Sequence, residues 1–216
     1  MKNKKTTSIL FYILLVNLCC NLTAQTTTTN SPSDTSKSFK VDNYWVTPYK
    51  SFEFNSLLSF SNDTLDIVTC AEYVYSPFGL IANKSDINKS LLKNFKVINR
   101  VDKMDIGKVE FQLLTLNSSR LILYFDNDPN ASKHSYIIKG EIKDPEVNFA
   151  DSIKVGISID NFYKAFFDNY PKELLTRFKV IVFESCVQDI KHVYTFENNK
   201  LTSVVFVTDT YWNVKY

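Results

Sequence analysis

The 216-residue chain has little glycine, histidine, tryptophan or methionine: 4, 2, 2 and 2 residues respectively. So few glycines exclude a phosphate-cradling loop, which needs several close together for the backbone to approach the anion. His134 and His192 lie far apart, and neither has a second ligand at short spacing, so no metal site is expected and both read as ordinary surface or half-buried side chains. No Gly-x-Ser-x-Gly elbow surrounds Ser185, and Cys186 lacks a cysteine-protease context, so no catalytic residue is assigned. An excess of charge is missing too: 25 basic residues face 23 acidic ones, with no basic cluster, which argues against nucleic acid as a partner. The 44% apolar content supplies a core for one ordinary domain or two very small ones, without the repeated apolar spans of a polytopic membrane protein.

What is present begins with an export leader. Lys2, Lys4 and Lys5 precede an apolar run from Ile9 to Leu18, interrupted only by Asn17, and Thr23-Ala24-Gln25 supplies a small residue for cleavage. The apolar run is too short to span a bilayer comfortably and reads as a secretory signal over 1–24. An alternative is a lipoprotein leader modified at Cys19 or Cys20, the one route by which a membrane would become a partner. Residues 25–40 read as a flexible linker, because nine of the fourteen residues from Gln25 to Ser38 are Ser or Thr and none is large and apolar.

Two stretches of the remainder match each other. Asp86 to Phe95 aligns with Asn161 to Tyr170, and the apolar sets Ile87, Leu91, Leu92, Phe95 and Phe162, Phe166, Phe167, Tyr170 share the spacing i, i+4, i+5, i+8 of one helix face. Ser85 and Asp160 stand at the capping positions, and Pro171 is the expected stop of the second helix. Leu113 to Leu121 likewise resembles Val193 to Leu201, each read as strand, tight turn, strand, with turns at Ser118-Ser119 and Asn198-Asn199. Further strands are expected at 96–101, 108–116, 120–125, 134–142, 177–183, 191–196 and 201–208, with strand-like runs at 51–60 and 65–74. The expected fold is therefore α+β: two tandem units, 41–150 with extra strands and 151–216, each a helix followed by an antiparallel meander, with the helices packed on one face of the sheet.

The order Gly156-Ile157-Ser158, amphipathic helix, gap, then Tyr194-Thr195-Phe196-Glu197-Asn198-Asn199-Lys200-Leu201 resembles the tandem units of beta-lactamase-inhibitory-protein-like folds and the single unit of SmpA/OmlA outer-membrane lipoproteins, as in uncharacterised secreted proteins of Bacteroidetes-type bacteria. The resemblance implies a bacterial envelope protein and carries no site residue over.

Other patterns are weaker. Asp126, Asp128 and Asn130 open like a calcium loop, but Ala131 stands where the sharp turn needs glycine and Ile137 where the closing glutamate belongs, so a polar hairpin loop is expected. Asp63-Thr64-Leu65 and Asp151-Ser152-Ile153 match a three-residue O-glycosylation pattern. Cys70 and Cys186, the two cysteines beyond the leader, are either reduced or bridged as a single pair. With 17 Phe and 12 Tyr, aromatic rings are plentiful. Tyr124, Tyr194, Tyr211 and Trp212 are the candidates for a binding face on the side of the sheet turned away from the helices.

The expected function is an exported, non-catalytic binding protein of the cell envelope, taking an envelope protein or a small ligand and needing no cofactor. The alternatives are an envelope-assembly accessory lipoprotein and a hydrolase whose residues converge only in space. The exported product is expected to begin at Gln25. Its intact mass checks this, and an added diacyl or triacyl mass at Cys19 or Cys20 would overturn it.

Overall fold

A computed structural model describes residues 37–104, 107–126, 134–187, 190–208 and 214–216. The described residues form twelve strands: β1 (Phe39–Val41), β2 (Tyr44–Pro48), β3 (Phe54–Phe60), β4 (Thr64–Thr69), β5 (Lys96–Met104), β6 (Gly107–Leu116), β7 (Ser119–Leu123), β8 (Ile137–Ile142), β9 (Phe167–Asn169), β10 (Val180–Ser185), β11 (Ile190–Glu197) and β12 (Lys200–Thr208). Among the described residues there are also two short α-helices, α1 (Glu72–Tyr75) and α2 (Ile159–Phe166), and several 3-10 turns. Nine strands form one sheet in the order β3-β4-β10-β11-β12-β8-β7-β6-β5, and β1, β2 and β9 form a second.

Antiparallel pairing runs through the large sheet except at β4 and β10, which are parallel in the register Thr64↔Val180 to Thr69↔Ser185. The hairpins follow from local chemistry. Asn198 and Asn199, at φ 49° and 61°, form the two-residue turn between β11 and β12, a conformation asparagine tolerates and the strand twist favours. In the β6–β7 hairpin the turn lies at Asn117-Ser118, one residue earlier than expected, and Asn117 takes the positive φ of 46°. Gly140 is required on β8, because a Cβ there would come within 2.2 Å of Leu121 and 3.2 Å of the Arg120 carbonyl.

The main core lies on one face of the large sheet. Leu65, Ile67, Ile181, Phe183, Tyr194, Phe196, Val204 and Phe206 alternate inward from the central strands and are all buried. They meet α2, the small sheet and the 3-10 turn at Lys50–Phe52 through Phe39, Phe52, Phe162, Phe166 and Phe167. A smaller cluster of Val109, Phe111, Ile122, Ile138 and Val214 occupies the opposite face over β6 to β8.

This arrangement corrects the expected fold class. The protein is mostly β, with a mixed nine-stranded sheet and a second three-stranded one, and it is not a tandem of helix-plus-meander units with repeat helices packed on one face. Two physical reasons stand out. The stretch Asp86 to Phe95 does not form an α-helix: Lys84–Lys89 is a 3-10 turn opened by the Asn83 side chain, and Ser90 then diverts the chain, its hydroxyl donating to the Ile87 carbonyl and accepting from the Leu92 amide. As a result Ile87, Leu92 and Phe95 are buried while Leu91 is 42% exposed. The second helix is real but short. Ser158, not Asp160, caps it by accepting from the Asn161 amide at 3.3 Å, and Asp160 instead pairs with Lys164 one turn on. It ends at Phe166, before Pro171, because the Tyr49 amide takes the Phe166 carbonyl at 2.9 Å and Phe167 turns into β9.

These faces set an expected ranking. Leu92→Ala lowers stability by roughly 2 to 5 kcal/mol by opening a cavity, whereas Leu91→Ala is close to neutral. Urea midpoints of the two variants measure it, and a larger loss for the Leu91 change would overturn the facing described here.

Candidate functional site

The two cysteines meet. Cys70 follows β4 and Cys186 follows β10, so the parallel register carries them side by side, with Cα atoms 5.0 Å apart and a disulfide between them. Around this bridge the Cys186 amide donates to the Thr69 carbonyl at 3.0 Å, the Cys70 amide donates to the Glu53 carbonyl at 3.0 Å, and the Tyr75 hydroxyl lies 3.3 Å from the Cys186 sulfur.

Immediately after Cys70 the chain enters the wall of a cleft of about 290 Å³. Phe52, Tyr73 and Phe166 supply its aromatic surface, with the Tyr73 and Phe166 rings 5.0 Å apart and the Phe52 and Phe166 rings 5.5 Å apart. Ala71, Ala150, Ala165 and Gly79 leave the space open because their side chains are small or absent. Glu72 and Asp151 stand at the lip, both exposed, and among the described residues no lysine or arginine lines the cleft.

Asp151 is held in an unusual conformation. It has φ 55° and ψ 24°, Ser152 follows at φ 61°, and the turn is pinned by the Ala150 amide on the Pro77 carbonyl at 2.7 Å and the Phe149 amide on the Ile153 carbonyl at 2.9 Å. Two successive left-handed residues without a glycine cost of the order of 1 kcal/mol each, and such strain concentrates at functional positions. Partial desolvation also raises the Asp151 carboxyl above its ordinary value.

Behind Tyr73 runs a buried polar chain. The Tyr194 hydroxyl donates to the Tyr73 hydroxyl at 2.9 Å, and His192 Nδ1 lies 3.1 Å from the Tyr194 hydroxyl. With Tyr194 donating to Tyr73, the neutral imidazole serves as donor at Nδ1. Burial pushes His192 down to about 3, with contact to the Val74 backbone opposing that shift. Burial likewise raises Tyr73, offset in part by the Tyr194 hydrogen bond and increased by the Asp151 charge. Tyr194 is raised well above its usual range by burial first and then by Tyr73. At neutral pH all three groups are uncharged, far from the near-neutral poise of a general base.

Of the sequence-derived binding-face candidates, the two among the described residues, Tyr124 and Tyr194, do not share a face. Tyr194 is 0% exposed and part of the main core, because its position on β11 has the inward parity shared with His192 and Phe196; as a face residue it is corrected. Tyr124 is half-buried on the opposite side, its ring 5.9 Å from Phe111 at the smaller cluster. Tyr211 and Trp212 lie outside the described residues. The two histidines differ: His134 is exposed and His192 is fully buried. Ser185 is buried and its hydroxyl accepts from the Ile190 amide at 3.5 Å. Of the calcium-like triplet only Asp126 falls among the described residues, where no three His, Cys, Asp or Glu side chains converge as for a metal.

Sequence reading missed the cleft. Its residues come from four separate stretches, 51–52, 71–79, 150–151 and 165–166, and in the sequence Asp151 stands out only as part of a short glycosylation pattern. Compared with known proteins, the chain matches no family model, no curated protein and no solved structure.

The buried histidine gives a pH dependence with a definite sign. Its folded value of about 3 lies below the ordinary 6.5 of an unfolded chain. The contribution to stability is therefore complete above pH 6.5 and is lost as pH falls toward 3. Between pH 6.5 and 5, above the main carboxylate range, roughly 2 kcal/mol is expected to disappear. Urea midpoints across that interval measure the slope, which His192→Gln should flatten; an unchanged slope in the variant would place its origin elsewhere.

Proposed function

We propose that the protein is an exported, non-catalytic binding protein of the bacterial cell envelope that takes a small, partly apolar cation in the cleft behind Cys70. The observation that carries this reading is the cleft's composition: Phe52, Tyr73 and Phe166 form an aromatic pocket, and its two charged groups, Glu72 and Asp151, are both acidic. An ammonium group at that lip gains from both carboxylates, and an apolar body gains from ring contact, including cation–π attraction where the charge lies over a ring.

Several features support the wider setting. The basic and apolar leader fits export, and the Cys70–Cys186 disulfide fits an oxidising compartment. Binding rather than turnover fits the neutral state of His192, Tyr194 and Tyr73 behind the cleft. The resemblance to secreted envelope proteins points the same way, although it contributes no residue to the cleft.

Phenethylammonium is a suitable probe and phenylacetate its control of opposite charge. Calorimetric titration is expected to detect the amine and not the acid, with affinity falling about tenfold in Asp151→Asn, which removes charge while keeping a side chain that tolerates the left-handed turn. Equal binding of amine and acid, or no effect of the Asp151 change, would sink the proposal.

A further inference from the structure

The two edges of the nine-stranded sheet are built differently. Strand β3 is interrupted between Phe54 and Ser56 and again between Leu57 and Ser59, irregularities that turn an edge away from further pairing. At the other end, β5 pairs with β6 residue for residue from Lys96↔Thr115 to Met104↔Gly107, with no irregularity. It contains no proline, exposes Ile98 (43%) and Val101 (59%), and has no neighbouring strand on its outer side among the described residues. A long, regular edge with exposed aliphatic side chains is a template for one more strand.

We propose that β5 is a dimerisation edge on which a second copy of this chain pairs antiparallel about a twofold axis through Val101, setting Arg100 of each copy opposite Asp102 of the other.

The register follows from parity and charge. A twofold axis normal to the sheet keeps each face continuous, so paired positions must share parity. Centring on Val101 pairs Ile98 with Met104, Asn99 with Lys103 and Arg100 with Asp102, each twice, and Val101 with itself. Centring on Arg100 sets two guanidinium groups against each other and places Val97 opposite Lys103. Centring on Asn99 sets Lys96 opposite Asp102 but forces Ile98 against Arg100. Of these three registers, only the one centred on Val101 gives Ile98, Val101 and Met104 apolar partners and sets the Asp102 carboxylate against an arginine, the better matched cation for it. Lys96 and Lys103, the kind of residue by which an edge stays solvated, meet no second lysine there.

Two further observations bear on the same edge. Arg100 is already held in place, with Nη2 3.0 Å from Asp102 of its own strand and Nη1 donating to the Lys215 carbonyl at 2.6 Å, so little freedom remains to be lost on pairing. Met104 packs against the smaller apolar cluster, and Arg100 and Asp102 lie opposite Phe111 and Val109 of that cluster. The cluster thus ends at β5, and the Ile98–Met104 pairs would continue it across the axis into the second copy.

Sedimentation velocity on the purified protein tests this. The wild type is expected to dimerise reversibly. Arg100→Asp and Asp102→Arg, each of which sets like charges opposite one another twice, should weaken the dimer about tenfold or more. An equimolar mixture of those two variants should recover it, since each then supplies what the other lacks. In the otherwise native chain, Val101→Cys should oxidise to a covalent dimer and Asn99→Cys should not. A wild type that stays monomeric up to about 1 mM, a dimer indifferent to both charge changes, or cross-linking through Asn99→Cys in place of Val101→Cys would each overturn the proposal. None of these readouts involves the cleft, so they stand or fall apart from the amine titration.

Discussion

Everything else in the fold depends on the parallel pairing of β4 with β10. Six consecutive register pairs join strands more than a hundred residues apart in sequence, and parallel neighbours always require a long crossover. Here the crossover contains β5 to β8, α2 and β9. Backbone bonds extend the contact at both ends: the Lys179 and Val180 amides donate to the Asp63 carbonyl at 2.7 and 2.9 Å, and the Cys186 amide donates to the Thr69 carbonyl. The disulfide then closes the join covalently across 116 residues. In the chain-entropy picture such a loop is worth about 4 to 5 kcal/mol, because its length is removed from the unfolded ensemble. Without this join, the β3–β4 hairpin and its buried Leu65 and Ile67 would lose their place against Ile181 and Phe183. The cleft wall that begins at Ala71 would go with them.

The same join explains why so many rings are interior. Phe162 lies within 6 Å of Phe166, Phe183, Tyr194 and Phe196 by ring centroid, and Phe52 reaches both Phe166 and Phe183. Edge-to-face and offset contacts of this kind fix orientation as well as excluding water. Two tyrosines and a histidine in that core would be costly if left unpaired; their mutual hydrogen bonds offset part of that cost, and burial keeps all three uncharged. The cleft is therefore backed by a rigid, neutral wall, and its electrostatic character comes from the two carboxylates at the lip.

The sequence made some of this legible and concealed the rest for definable reasons. Strands β6, β7, β11 and β12 could be read because strand alternation and the Asn198-Asn199 turn are local signals. The apolar spacing over 86–95 matches that of the true helix, so spacing alone cannot tell the two apart; among the differences, Ser90 stands where the helix has Ala165, and its hydroxyl bonds its own backbone. The parallel join left no local trace, since Leu65 to Thr69 and Ile181 to Ser185 read only as strands, with nothing local to say that they pair with each other. Only the two cysteines hinted that these segments meet. Val204 to Val207 are apolar at both parities, yet only Val204 and Phe206 point into the core, while Val207 is 45% exposed. The cleft stayed hidden because it is a property of four separate stretches, none of which is distinctive alone.

The back of the sheet shows how one constraint was met in two ways. Over β6 to β8 the segment from Val214 to Tyr216 covers apolar positions: Val214 enters the smaller cluster, and the Tyr216 ring lies beneath Arg120 at 3.8 Å and Lys139 at 4.9 Å. Over β4, β10 and β11 the same face carries Asp66, Glu184 and Lys191 between valines. Glu184 is buried and its carboxylate lies 2.5 Å from the Lys191 ammonium, while burial and then the Glu184 charge raise the Asp66 carboxyl, with Lys191 opposing. One ammonium shared by two carboxylates is a weak source of stability, because desolvating the charges offsets much of their attraction. Its effect is on pairing specificity: sliding β10 by one residue relative to β4 and β11 would turn Glu184 into the aromatic core and Phe183 out to solvent. The charged trio on the outer face and the disulfide at the strand ends thus enforce the same parallel register from opposite directions, one by penalising the wrong alignment and the other by tying the right one.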